Sequence, residues 1–81
     1  MPYFILNASG KRFIVFDAFT DIDDTLKHLP ESGSITVVQA DANGVFTSEA
    51  FSIYRHSVNH AARRKEIPSP VKGKNVRDLI P

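Results

Sequence analysis

The sequence contains no cysteine, and its longest apolar runs, Tyr3–Leu6 and Phe13–Phe16, are only four residues each. Without cysteine the chain can form neither a disulfide nor a thiolate metal site. Runs of this length are far too short to cross a bilayer. The N-terminus also lacks a basic region followed by a sustained apolar stretch, so we expect no secretory signal, no membrane association and a cytoplasmic location.

The length of 81 residues allows one domain with a small core. Domains of this size are expected to be stable by roughly 3–5 kcal/mol when no disulfide or metal assists them. We therefore expect oligomerisation or partner binding to supplement the core.

Charged residues are divided unevenly along the chain. Residues 1–54 contain three basic and seven acidic side chains, giving −4, whereas residues 55–81 contain seven basic and two acidic ones, giving +5. The formal net charge of +1 conceals this division. A cationic C-terminal region on an acidic body indicates a polyanionic or acidic partner.

The first two apolar runs predict a β-hairpin, because aromatic and β-branched residues dominate both and turn-forming residues 7–11 separate them. Successive side chains of a strand point to opposite faces, so both faces of this hairpin are apolar. The second face is then either a further core surface or an exposed interaction surface. The candidate residues for a protein interface on it are Phe4, Leu6, Ile14 and Phe16; the alternative is that the residues of the opposite faces, Tyr3, Ile5, Phe13 and Val15, are the exposed ones.

A short helix is predicted to begin at Thr20, a good N-cap residue, and to end before Pro30. Its first turn is rich in aspartate, which the helix dipole favours. An apolar stripe with i, i+4, i+7 spacing follows, formed by Ile22, Leu26 and Leu29.

The central region predicts a second hairpin. Ser34–Ala42 has the composition of a strand, Asn43-Gly44 is typical of a type I′ turn, and Val45–Thr47 begins the return strand.

Beyond Ser48 the apolar residues recur at three- and four-residue spacing, which predicts a long helix that Pro68 terminates. In the alternative interpretation, Phe51–Tyr54 extends the preceding strand and a shorter helix begins at about Ser57.

These elements predict an α+β fold: a small antiparallel sheet of three to four strands, in the order β-β-α-β-β-α, with helices packed mainly on one face. The single domain is predicted to span residues 1–67. Residues 68–81, which contain prolines, a glycine and two lysines, are predicted to form an extended basic arm. Val76–Ile80 could dock as a final apolar anchor.

The basic C-terminal region is the first candidate for function. Cations on a helix and an arm can neutralise successive phosphates, and Tyr54 could add a stacking surface. No base-reading motif is present, so such binding is expected to involve mainly the nucleic-acid backbone. The residues predicted to bind nucleic acid or an acidic partner are Arg55, Arg63, Arg64, Lys65, Lys72, Lys74 and Arg77.

Metal binding and catalysis receive little support from the sequence. His56 and His60 stand four apart, which places both on one side of a helix, but no third ligand has a diagnostic spacing. The aspartates near Thr20 lack the remaining ligands of an EF-hand and are explained by the helix N-terminus. No nucleophile elbow, P-loop or dinucleotide motif occurs. We expect no enzymatic activity, no metal and no cofactor.

The sequence therefore predicts a small non-enzymatic protein that binds stoichiometrically. The first hypothesis is a protein-interaction module, of inhibitor or adaptor type, that docks through an apolar sheet face or a charged surface. The alternative is a nucleic-acid-binding protein that contacts phosphates through its basic C-terminal helix and arm. A symmetric homodimer through the hairpin would bury the second apolar face.

Overall fold

A computed structural model of the protein describes residues 2–9 and 12–80. Gly10 and Lys11 of the predicted turn, and Pro81 of the predicted arm, lie outside the described residues. The described elements, in chain order, are β1 (Tyr3–Ser9), β2 (Arg12–Phe19), α1 (Ile22–Leu26), β3 (Gly33–Ala40), β4 (Phe46–Arg55), β5 (Arg63–Pro68) and α2 (Val76–Leu79).

The five strands form one antiparallel sheet in the order β2-β1-β3-β4-β5, so β2 and β5 are its edges. The predicted α+β fold, with three to four strands and helices packed mainly on one face, is wrong. Within the described residues the fold is mostly sheet, with two helices of five and four residues.

The predicted long helix after Ser48 is replaced by two strands, β4 and β5, and by the connection between them. β4 buries Ala50 on one face of the sheet and Phe51 and Ile53 on the other. Because both faces contribute, its apolar residues do not alternate strictly and their spacing imitates a helix. The aromatic and β-branched composition of Phe51–Tyr54 is the signal that favours the strand.

The first helix forms in the predicted region but is shorter. Its N-cap is Asp21 and not Thr20: the Asp21 carboxylate accepts a hydrogen bond of 2.9 Å from the backbone N–H of Asp23. Lys27 and Asp24 form an exposed ion pair of 3.3 Å one turn apart.

The turn between β3 and β4 is not of type I′. Such a turn needs positive φ at both central residues, and Asp17 is the only non-glycine residue with positive φ in the described part of the chain. Gly44, with φ of 79°, donates instead to the Asp41 carbonyl oxygen at 3.1 Å. The Asp41 carboxylate closes the turn by accepting from the N–H groups of Asn43 and Val45.

Residues 69–80, which we call the C-terminal segment, lie against one face of the sheet, the C-terminal face. The segment is held by backbone hydrogen bonds from Phe46 to Lys74, from Gly73 to Phe46 and from Val76 to Gly44, each of 2.8–2.9 Å. Val71 is completely buried in the core of this face. Five of the twelve residues of the segment are buried or half-buried, and the others are exposed.

The C-terminal face carries the larger core. Its buried side chains come from four strands and from the C-terminal segment, and they include the edge-to-face pair of Phe4 and Phe46, whose ring centroids are 5.9 Å apart. The buried residues of this core are Phe4, Leu6, Val15, Val38, Ala40, Phe46, Ala50 and Val71.

The opposite face, which we call the helix face, is covered by α1 and the loop that follows it. Leu29 packs there against Val37 and Ile53, with Ile22 and Ile35 at the border. The sheet thus has a small core on each side.

Val71→Ala should lower the free energy of unfolding by about 2 kcal/mol, because two methyl groups leave a fully buried site. Val58→Ala is the matched control, since Val58 is 62% exposed and its truncation should cost less than about 0.5 kcal/mol. Urea denaturation followed by circular dichroism measures both. Equal midpoints for the two variants would contradict the packing of the C-terminal segment.

Candidate functional site

The four residues predicted to form a protein interface do not share a face. Phe4 and Leu6 lie on the C-terminal face and are only 6% and 7% exposed. Ile14 and Phe16 point to the helix face, because Phe16 is the cross-strand partner of Ile5 and alternates with buried Val15. The structure therefore separates the predicted interface into a buried pair and a partly exposed pair.

The C-terminal face contains a second area of different chemistry on β3, β4 and β5. Directly paired residues of antiparallel strands point to the same face, so the register defines two cross-strand rows there. We call their six residues the polar patch: Ser34, Tyr54 and Arg63 in one row, and Thr36, Ser52 and Lys65 in the other.

The polar patch is accessible because the C-terminal segment packs beside it. The apolar contacts of the segment belong to the core around Phe4 and Val15, and no residue of the polar patch is part of that core. Arg63, Lys65 and Ser34 are exposed, while the other three residues of the patch are half-buried. A tyrosine, three hydroxyl side chains and two cations are thus presented together.

The seven predicted cationic site residues are distributed over four environments, of which Arg55 occupies one alone. Arg63 and Lys65 lie in the polar patch. Arg64, between them in sequence, points to the helix face, where its guanidinium lies 3.6 Å from the centroid of the Phe51 ring. Lys72, Lys74 and Arg77 are exposed on the C-terminal segment.

Arg55 has a structural role. Its Nε and Nη2 atoms donate hydrogen bonds of 2.9–3.3 Å to the carbonyl oxygens of Leu29 and Pro30, at the end of the loop after α1. These bonds attach the end of β4 to the cover of the helix face and fix the position of the guanidinium.

Acidic side chains collect on the opposite side of the sheet. Glu66 is paired with Phe51 and Glu49 with Pro68, so both point to the helix face. The acidic first turn of α1, with Asp23 and Asp24, lies on the same side. The division of charge along the sequence therefore becomes, in part, a division between the two faces of the sheet.

The two candidate histidines lie in the connection between β4 and β5 and not on a helix. The ring centroids of His56 and His60 are 5.9 Å apart, and that of Tyr54 is 6.2 Å from His56. Across residues 2–9 and 12–80, no group of three or more histidine, aspartate or glutamate side chains is arranged to hold a metal ion.

The sequence did not identify Ser34, Thr36 and Ser52 as site residues. They join the site only through the strand register, whereas the sequence pattern predicts that Ser52 lies in a helix. The signal that could have found them is the polar side of β3 and β4, where Ser34, Thr36, Ser52 and Tyr54 alternate with apolar residues.

Comparison of the chain with protein-family models, with curated protein sequences and with solved structures finds no match. Among the described residues, neither helix has the length and apolar character needed to span a bilayer.

Proposed function

We propose that this protein binds single-stranded nucleic acid stoichiometrically, without catalysis, through the polar patch. The observation that supports this proposal is the presence of Tyr54, Arg63 and Lys65 on one accessible, carboxylate-free area of the sheet. A cytoplasmic location, where nucleic acids are abundant, is part of the same proposal.

The two cations of the polar patch are suited to a nucleic-acid backbone. Arg63 and Lys65 stand two residues apart on β5, which separates their Cα atoms by roughly 7 Å along the strand. No carboxylate lies within 4.0 Å of either side chain among the described residues, where Lys27 and Asp24 form the one ion pair. Both charges are therefore available to phosphates.

Tyr54 supplies the contact that favours a single strand over a duplex. Tyr54 is half-buried and lies in the cross-strand row between Ser34 and Arg63. Stacking of an unpaired base on an aromatic side chain contributes about 1–3 kcal/mol and tolerates any sequence. Bases inside a duplex are already stacked and are not available for this contact.

The remaining charges favour approach from one side. The exposed cations of the C-terminal segment extend the positive surface, whereas Glu49, Glu66 and the aspartates of α1 lie on the other side of the sheet. Such a distribution attracts a polyanion to one face and repels it from the other.

Replacing both patch cations, in Arg63→Gln/Lys65→Gln, should weaken binding of a fluorescein-labelled oligouridylate by about tenfold at low salt. The slope of log K against log salt concentration should fall by about 1.4, or about 0.7 for each lost contact with a single strand. Fluorescence anisotropy measures both quantities.

The matched control is Lys27→Gln/Arg64→Gln, which removes the same charge from the helix side of the molecule. This variant should retain most of the affinity. An equal loss in both double variants would show that net charge alone governs binding, and failure of the unmodified protein to bind at low salt would refute the proposal.

A second candidate function, docking of a protein, is favoured by an apolar patch on the helix face that consists of Ile5, Ile14 and Phe16. Phe16 is 40% exposed, and the two isoleucines are half-buried. The patch lies on β1 and β2 beside the core beneath α1, since Ile5 is the cross-strand partner of Val37, and β2 is an edge strand. A second copy of the chain could cover it by an isologous contact.

Phe16→Ser should convert such a dimer to a monomer, because it removes the most exposed ring of the patch. Sedimentation equilibrium at micromolar concentrations measures the mass. Val58→Ser is the matched control, since Val58 is an exposed apolar residue in the β4–β5 connection, and this variant should remain dimeric. A monomeric unmodified protein would exclude self-association through the patch.

A further inference from the structure

The loop end of the polar patch forms a surface pocket of about 310 Å³. It lies where β4 leaves the sheet and β5 enters it. Its lining is basic, aromatic or small: Tyr54, Arg55, His56, His60, Ala61 and Arg63. No acidic side chain lines it, although acidic residues make up nine of the 81 in the chain.

One cation of the pocket is held by hydrogen bonds and the other is exposed. Arg55 is fixed by its three hydrogen bonds to the carbonyl oxygens of Leu29 and Pro30, which leave its Nη1 atom without a partner among the described residues. Arg63 is exposed and has no carboxylate partner within the described chain. Two guanidinium groups, one of them held in place, can bind one anion together.

The histidines add two restrained imidazole rings to the pocket. Nδ1 of His60 is hydrogen-bonded to the Ser57 hydroxyl at 2.6 Å, which leaves Nε2 of the same ring for a ligand. The His56 ring lies edge-to-face between Tyr54 and His60. These contacts restrain both imidazoles beside the two guanidinium groups.

We propose that this pocket binds a phosphate monoester. Such a group carries a charge near −2 and three terminal oxygens, which match several donors around one cavity. The volume lies at the lower limit for small-ligand clefts and accommodates one nucleotide. Two sources share this chemistry: the 5′-phosphate of a bound strand and a free nucleoside monophosphate. The first source rests on the proposed function, and the second does not.

Titration of the ¹⁵N-labelled protein with adenosine monophosphate, inorganic phosphate and adenosine, followed by NMR, tests the pocket itself. Both phosphates should shift the amide signals of residues 54–63, and adenosine should not. His56→Ala/His60→Ala should weaken binding of the monophosphate by about tenfold. The control is His28→Ala, since His28 is the remaining histidine and contacts Phe19 in the loop after α1.

Anisotropy with one oligonucleotide carrying either a 5′-phosphate or a 5′-hydroxyl distinguishes the sources. Tighter binding of the phosphorylated strand assigns the pocket to strand ends. Equal binding of both strands, together with amide shifts from the monophosphate, assigns it to free nucleotides. The inference is overturned if the free phosphates cause no amide shifts and the 5′-phosphate does not change the affinity of the strand. Failure of the 5′-hydroxyl strand to bind would count against the proposed function alone.

Discussion

The sheet is apolar on both faces, and the chain covers it with two short segments. On the helix face, α1 and its loop cover Val37 and Ile53. On the other face, the C-terminal segment covers the core around Phe4 and Val15. Neither cover extends over a whole face, because a chain of 81 residues with five strands has little left to form layers. The areas that remain accessible therefore determine what the protein can bind.

The accessible areas have opposite character. On β3–β5 the open part of the C-terminal face presents hydroxyl groups, Tyr54 and two cations, whereas on β1 and β2 the open part of the helix face presents Ile5, Ile14 and Phe16. Strand alternation divides a continuous run of basic residues between the two faces of the sheet. Of three consecutive cations at positions 63–65, the first and third point to one face and Arg64 points to the other. An edge strand of this composition also resists pairing with other sheets.

The sequence predicted the local elements better than their arrangement. The N-terminal hairpin, a helix after Thr20 and a chain reversal at Gly44 follow from local composition, and all three are present. The start of β4 is predicted at Val45–Thr47, but the long helix predicted after Ser48 is wrong, because β4 is buried on both faces and its apolar residues lose the period of two that marks a half-exposed strand. β5 was missed because four of its six residues are charged and its stability comes from pairing with β4. Among the site residues, the cations were identified from composition, but their separation onto two faces depends on a register that composition does not contain.

The selective reactivity of lysines tests the central claim most directly, because the chain contains its own controls. Lys65 lies in the polar patch, whereas Lys27 caps the C-terminal end of α1 at the opposite side of the sheet. Acetylation rates for each lysine, measured by mass spectrometry with and without a saturating oligouridylate, report which face the ligand covers. The account predicts strong protection of Lys65 and an unchanged rate at Lys27. Equal protection of both lysines, or unchanged reactivity of Lys65, would contradict it.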